Sequence, residues 1–270
     1  MRRVVLTCIA ILAALGAFAQ TRAERIRARL LDPNDSSVLV IAHRGAWRVA
    51  PENTIESIEK AVEIGVDIVE IDIRKTLDGQ LILHHDPVLF RPSGSPTLEE
   101  ALLASKGKVM LNLDKAFKHF DEVMEIVERT GTMDQIILKS SRTVENAVKV
   151  LGKYNGRVLY MPIINLNLSG ALAKVEAFVQ KMDSPMYELT FNNDSNPVLT
   201  IVQARLLGRS RLWYDTLWPS LCDGHDDDAS LENHDNGYGW LIDNAGAGAI
   251  QTDRPVELID YLKSRNLWMQ

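Results

Sequence analysis

Cysteine is nearly absent from this chain: Cys8 and Cys222 are its only two in 270 residues. Cys8 lies in an N-terminal segment that reads as removable. No internal disulfide can then form in the remainder, so the fold must be held by an apolar core rather than by staples. Positive charge is also in deficit. The chain has 30 Lys and Arg against 36 Asp and Glu, a formal net charge of −6, with no basic run. That argues against a protein whose work is to grip nucleic-acid phosphates, although a small anionic substrate needs only a few local cations. Internal repeats, low-complexity tracts and any linker that would separate domains are missing too. With 46% apolar and 24% charged residues, the composition is that of a globular chain and not of a collagen-like, disordered or polytopic membrane protein.

The N-terminal apolar run is short. It extends from Val4 to Phe18, behind Arg2 and Arg3, and ends in Ala17-Phe18-Ala19. A basic start, an apolar stretch of this length and a small-x-small close are the elements of a secretory signal, here residues 1–19 with cleavage before Gln20. A membrane anchor is the alternative, but a span asks for roughly 20 apolar residues. The expectation is secretion, to the periplasm in a Gram-negative cell, with no stable membrane insertion after cleavage.

Residues 20–37 read as a helical lead-in, Arg- and Ala-rich from Thr21 to Leu31. From residue 38 to residue 270 the pattern alternates. Val38 to Ala42 is a β-branched strand and Thr54 to Ile64 an amphipathic helix capped by Asn53 or Thr54. Val66 to Ile73 is a strand, and Asp78-Gly79 turns the chain into Leu81-Ile82-Leu83. Strands then follow at Val109–Leu113, Gln135–Lys139, Val158–Ile164, Met186–Phe191, Arg211–Tyr214 and Ala249–Gln251. Helices stand between them at Leu98–Ala104, Phe117–Thr130, Thr143–Leu151, Leu168–Met182 and Pro197–Leu207, with Val256–Ser264 last. Asp223 to Gly239 reads as a long loop, and its Asp226-Asp227-Asp228 run as a solvated one, with a second cation site as the alternative. About eight strand–helix units in one domain predict an α/β chain folded as a single (β/α)8 TIM barrel.

In such a barrel the site is built where strands give way to loops at their carboxyl ends. Polar residues gather there where packing alone would not ask for them: His43-Arg44-Gly45, Glu70-Ile71-Asp72, His84-His85-Asp86-Pro87, Asn112-Leu113-Asp114-Lys115, and Lys139. Side chains alternate along a strand, so Glu70 and Asp72 share the interior face. Two carboxylates there repel unless a cation or several donors neutralise them. Hard oxygens close together favour Mg2+ or Ca2+; salt bridges to barrel cations are the alternative. Asn112 and Asp114 share one face, and Lys115 points to the other.

The ordered set His43-Arg44-Gly45, Pro51-Glu52-Asn53-Thr54, Glu70-x-Asp72, Thr76-x-Asp78-Gly79, His85-Asp86 and Thr252-Asp253-Arg254-Pro255 resembles the glycerophosphodiester phosphodiesterase family, from residue 43 to residue 255. The resemblance implies a TIM barrel that hydrolyses glycerophosphodiesters, as small-molecule substrates, to an alcohol and glycerol 3-phosphate. It implies His43 and His85 as the catalytic acid/base pair, one divalent cation on Glu70, Asp72 and Asp114, and Arg44 on the phosphate. The family usually carries Glu-x-Lys where this chain reads Asp114-Lys115-Ala116. Lys115 would face the wrong side unless a bulge turned it, so Lys139 is the expected phosphate lysine. Glu188 and Trp213 or Trp218 are expected at the substrate pocket, with plain packing as the alternative for the tryptophans. The residues leave head group, cation and oligomeric state open. Two rival readings remain: a phospholipase of the sphingomyelinase D or phosphatidylinositol phospholipase C type, which would need an exposed apolar rim, and a barrel that binds phosphodiesters without turnover.

Overall fold

The structure, a computed structural model, describes residues 20–269. The expected signal segment lies outside the described residues. The lead-in is a helix, α1 (Arg22–Leu31), and its start is written in the sequence. The Thr21 hydroxyl accepts from the Glu24 N–H while the Glu24 carboxylate accepts from the Thr21 N–H, a capping box. Strand β1 (Leu39–Ala42) and helix α2 (Ile55–Ile64) follow, then β2 (Ile68–Lys75) and the short β3 (Leu81–Leu83). The remainder runs α3 (Leu98–Ser105), β4 (Met110–Asp114), α4 (Phe120–Thr130), β5 (Ile136–Ser140), α5 (Val144–Leu151), β6 (Leu159–Asn165), α6 (Ala171–Lys181), β7 (Met186–Thr190), α7 (Pro197–Leu206), β8 (Arg211–Asp215), α8 (Asp227–Glu232), α9 (Tyr238–Asp243), β9 (Ala247–Thr252) and α10 (Pro255–Ser264).

Eight of these strands are parallel and close on themselves, in the order β1-β9-β8-β7-β6-β5-β4-β2 with β1 paired back to β2. The chain is a TIM barrel. β3 stands outside the closed ring, antiparallel to the overhanging end of β2.

Period-two alternation explains both core and site. On one face of each strand, residues such as Val40, Ala42, Val69, Ile71, Leu111 and Leu113 pack against the helices. On the other face Leu39, Ile41, Ile68, Met110, Ile137, Met161, Met186, Trp213 and Ala249 fill the barrel interior. α1 adds Ile26 and Leu30 to that inner cluster from below. Burying each of these two is worth about 1.5–3 kcal/mol, so α1 is a plug for the amino end of the barrel. Arg29 fastens it with hydrogen bonds to Asp67 and Ser37. Step two residues further along the inner faces and the chemistry changes: Ile41 is followed by His43, Ile68 by Glu70 and Asp72, Met110 by Asn112 and Asp114, Ile137 by Lys139, Met186 by Glu188, Trp213 by Asp215 and Ala249 by Gln251.

Two expectations are corrected here. The stretch Asp223 to Gly239 is not one long loop, for α8 and the start of α9 lie within it. Asp226 caps α8 by accepting from the Ala229 N–H at 2.9 Å, and two acidic residues in the first turn suit the helix dipole. The helix expected from Phe117 to Thr130 opens as a 3-10 turn over Ala116–His119 before α4 begins.

Candidate active site

The His43-Arg44-Gly45 turn is built from backbone strain that its sequence tolerates. Arg44 and Gly45 both have positive φ, 53° and 79°. A Cβ on Gly45 would lie 2.3 Å from the Ser57 Oγ, so only glycine fits against α2. The turn brings the Arg44 N–H onto Glu70 Oε2 at 3.0 Å and its guanidinium Nε to 3.4 Å from Asp72 Oδ2. Asn53, also at positive φ (56°), clasps Asp72 at both ends. Its Nδ2 donates to Asp72 Oδ2 at 3.0 Å, and its Oδ1 accepts from the Asp72 N–H at 2.9 Å. Thr54, not Asn53, caps α2.

These groups open on a cavity of about 210 Å3 at the carboxyl end of the barrel. His43, Arg44, Glu70, Asp72, His85 and Asp114 line one side of it; Lys139, Glu188, Asp215, Gln251 and Trp218 line the other. One carboxylate oxygen each from Glu70, Asp72 and Asp114 lies within 4.8 Å of the other two. Burial pushes the Glu70 carboxyl up to about 7, with the Asp72 charge adding to it and His43 opposing. Burial would raise Asp72 as well, but hydrogen bonds from Lys115 and Asn53 hold it below the ordinary carboxylate range. Asn112, fully buried and paired in register with Glu70, has neither amide atom hydrogen-bonded among the described residues. Three hard oxygens that the local cations leave incompletely neutralised, beside an unpartnered amide, fit a divalent ion of the Mg2+ or Ca2+ kind.

The two imidazoles are held in matching ways. His43 Nδ1 lies 2.8 Å from Asp253 Oδ1, and His85 Nδ1 lies 2.8 Å from Asp86 Oδ1. An ionised carboxylate only accepts, so each Nδ1 carries the proton and each Nε2 is left for other work. Asp253 also accepts from Trp47 Nε1 at 2.6 Å. Burial pulls the His43 pKa down, yet the Asp253 hydrogen bond and the Glu70 charge outweigh it and the net shift is upward.

The lysines are not arranged as expected. Lys115 does not face away: it sits in the left-handed region at φ 61°, and this turns its ammonium back onto Asp72, with Asp114 Oδ2 at 3.6 Å. No bulge is needed, because the strand has ended there. Lys139 lines the cavity too, but its ammonium donates to Glu188 Oε2 at 2.9 Å. Burial would lower the Lys139 pKa, but Glu188, Asp114 and Asp215 raise it well above the ordinary value, so it is a fixed cation in the floor. Trp213 does not line the cavity. It is fully buried in the inner cluster, one layer below, and donates to Asp215 Oδ1 at 2.9 Å. Trp218 is 46% exposed at the rim, its ring edge-on to His43 with centroids 6.4 Å apart.

Asp227, expected in a solvated run, is a buried hub. Its Oδ1 accepts from the Thr216, Thr252 and Tyr238 hydroxyls at 2.6–2.8 Å, and its Oδ2 accepts from the Asp253 N–H at 2.8 Å. It therefore fixes the residue that orients His43. Asp227→Ala is expected to lower stability by about 2–4 kcal/mol, since several buried donors lose their acceptor. The exposed neighbour Asp228→Ala should stay within about 0.5 kcal/mol of wild type. Denaturant melts of the two variants side by side check this, and equal midpoints would remove Asp227 from the scaffold.

Asp253 and Asn53, which hold His43 and Asp72 from behind, and Asp215 and Gln251, which line the cavity, are not among the residues expected at the site. The first two lie inside the ordered motifs, and the last two share an inner face with Trp213 and Ala249, which parity alone could have shown.

A family model described as the glycerophosphoryl diester phosphodiesterase family matches residues 43–95, and another, described as a domain of unknown function, matches residues 160–262. The first holds His43, Arg44, Glu70, Asp72 and His85; the second holds Glu188, Asp215, Gln251 and Asp253. The chain is similar to a glycerophosphodiester phosphodiesterase of Caldanaerobacter subterraneus, 31% identical over 131 residues, which cover 43% of this chain and 54% of that protein. It is also similar to one of Bacillus subtilis, 43% identical over 65 residues, covering 24% and 22%. The match thus spans about half the length of the first relative and about a fifth of the second. Among solved structures, a glycerophosphoryl diester phosphodiesterase of Parabacteroides distasonis superposes with a TM-score of 0.69 at 18% identity, covering 90% of this chain and 92% of that one. A phosphodiesterase of Oleispira antarctica, in complex with the product sn-glycerol-3-phosphate, superposes with a TM-score of 0.59 at 18% identity, covering 86% and 99%. At such identity these two share the fold.

Proposed function

We propose that this chain, which belongs to the glycerophosphodiester phosphodiesterase family, is a metal-assisted enzyme that hydrolyses soluble glycerophosphodiesters to an alcohol and glycerol 3-phosphate. The observation that carries the reading is convergence: two imidazoles, a guanidinium and three clustered carboxylates, drawn from β2, β4 and the loops after β1 and β3, line one cavity.

The residues divide the work. Arg44 presents a planar donor fork suited to a phosphate, and Lys115 adds a second cation on the same side. Glu70, Asp72 and Asp114 would hold Mg2+ or Ca2+, which would supply neutralisation of charge on the phosphoryl oxygens. His43 and His85, each backed by its own carboxylate, share the proton transfers. One accepts the proton of the substrate's neighbouring hydroxyl as it attacks phosphorus, the other donates to the leaving alkoxide, and water then opens the cyclic phosphate to glycerol 3-phosphate with the two roles exchanged. Asp253 and Asp86 keep the imidazoles in the tautomer that this exchange needs.

The test is a panel of soluble glycerophosphodiesters incubated with the purified protein and Mg2+ or Ca2+, with glycerol 3-phosphate measured as product. Release from at least one diester is expected; none released from any would reject the reading. Leu89 and Phe90, 63% and 70% exposed just after His85, together with Trp218 at the rim, favour a second reading. Exposed apolar side chains of this kind are what a lipid surface would meet. Phospholipid vesicles belong in the same panel, and cleavage confined to them would favour a phospholipase.

A further inference from the structure

The cavity has two chemically different halves. On the side of β1, β2 and β4 stand the groups that the proposed hydrolysis uses. On the side of β5, β7, β8 and β9 stand Lys139, Glu188, Asp215 and Gln251, which that scheme leaves without a task. These four are 7%, 5%, 6% and 2% exposed, and all face the cavity. Their charges do not cancel. Two carboxylates face one ammonium, and that ammonium is already engaged by Glu188 at 2.9 Å, with Asp114 Oδ1 at 3.7 Å. Asp215 Oδ1 accepts from Trp213 at 2.9 Å from below. Gln251 lines the same space, and its buried Oε1 has no hydrogen-bond partner among the described residues. With both carboxylates ionised, the half is rich in acceptors, short of donors and one positive charge short of neutral.

Resting on the hydrolase reading above, we propose that this half binds the leaving alcohol of the substrate and selects one that carries a primary ammonium group. A neutral polyol would supply donors but leave the charge uncompensated. A trimethylammonium would supply charge but no N–H, leaving Gln251 Oε1 without a partner and adding no donor to Glu188 or Asp215 beyond Lys139 and Trp213. A primary ammonium supplies three donors and one positive charge on a compact head. Burial and the nearby Glu188 charge push the Asp215 carboxyl up to about 8 against the opposing Lys139 charge, so one ammonium does not balance this half and a bound second cation would favour the ionised carboxylate. Sites built to hydrogen-bond a substrate group discriminate strongly against analogues without it.

The test uses the wild-type enzyme with its cation and a head-group series: glycerophosphoethanolamine, its N-methyl and N,N-dimethyl forms, and glycerophosphocholine. kcat/KM is expected to fall stepwise along the series, by about tenfold or more from end to end. Asp215→Asn and Glu188→Gln are each expected to shrink that ratio to within about threefold, a readout that a folding defect alone would not produce. Equal kcat/KM across the series would overturn the proposal, and so would a preference that survives both substitutions. If no diester is cleaved at all, the hydrolase reading falls instead, and the two failures are told apart by the glycerophosphocholine rate.

Discussion

His43→Ala and His85→Ala are each expected to lower turnover by about 100-fold or more while leaving the fold intact. General acid and base groups contribute about 10²–10⁴-fold when correctly placed, and both rings are placed by a carboxylate at 2.8 Å. The two variants should differ in other respects. His85 sits on a loop with its side chain 39% exposed, so its removal should leave the melting curve where it was. His43 is buried between Asp253 and Glu70, so its loss also frees an acidic pair and should cost some stability. Because the histidines act on one proton relay, the double variant should be little worse than either single one. Steady-state kcat on glycerophosphodiesters, with KM measured alongside, checks this. Near-wild-type kcat in either variant would take that residue out of the chemistry, and fully multiplicative losses would show that the two imidazoles do not work as a unit.

The residues of this site that obey strand periodicity were legible in the sequence, and those that depend on loop backbone or on distant partners were not. Leu39-Ile41-His43 and Ile68-Glu70-Asp72 each keep one parity, so the step from apolar interior to polar mouth could be read directly. The same parity places Trp213 with Asp215 on the inner face, but it says nothing of depth, and Trp213 lies one layer too low to meet a substrate. Lys115 broke the pattern because it is the first residue beyond β4, where φ turns positive and the two-residue period no longer holds. Asp227 departed from expectation for another reason. An acidic run looks solvated until Thr216, Tyr238 and Thr252 are known to converge on it, and those partners come from separate elements. Asp253 was visible in its motif, but its role rests on a contact with His43 across 210 residues of chain.

Removal of the divalent cation is expected to abolish the activity, and the charges at the mouth say why. On the phosphate side of the cavity three carboxylates, Glu70, Asp72 and Asp114, are opposed by Arg44 and Lys115, and Lys139, which reaches Asp114 Oδ1 at 3.7 Å, is already engaged by Glu188. With no ion this side is net negative and repels a phosphodiester that itself bears one negative charge. With a divalent ion it becomes net positive by one, which matches the substrate. On the proposed reading an ion there would decide binding as well as chemistry, so chelation should raise KM and lower kcat together, with a combined loss of about 100-fold or more in kcat/KM. Added Mg2+ or Ca2+ should restore it. Binding to the folded state alone also stabilises, by about 2.7 kcal/mol when the ion is present at 100 times its Kd, so thermal unfolding should shift upward on addition of the ion. Glu70→Gln keeps the side-chain volume and the Arg44 N–H contact but removes a negative oxygen. It is expected to lose both the activity and the thermal shift. A variant that keeps the shift would place the ion elsewhere, and an enzyme indifferent to chelator would leave Arg44, Lys115 and the histidines to carry the reaction with no ion.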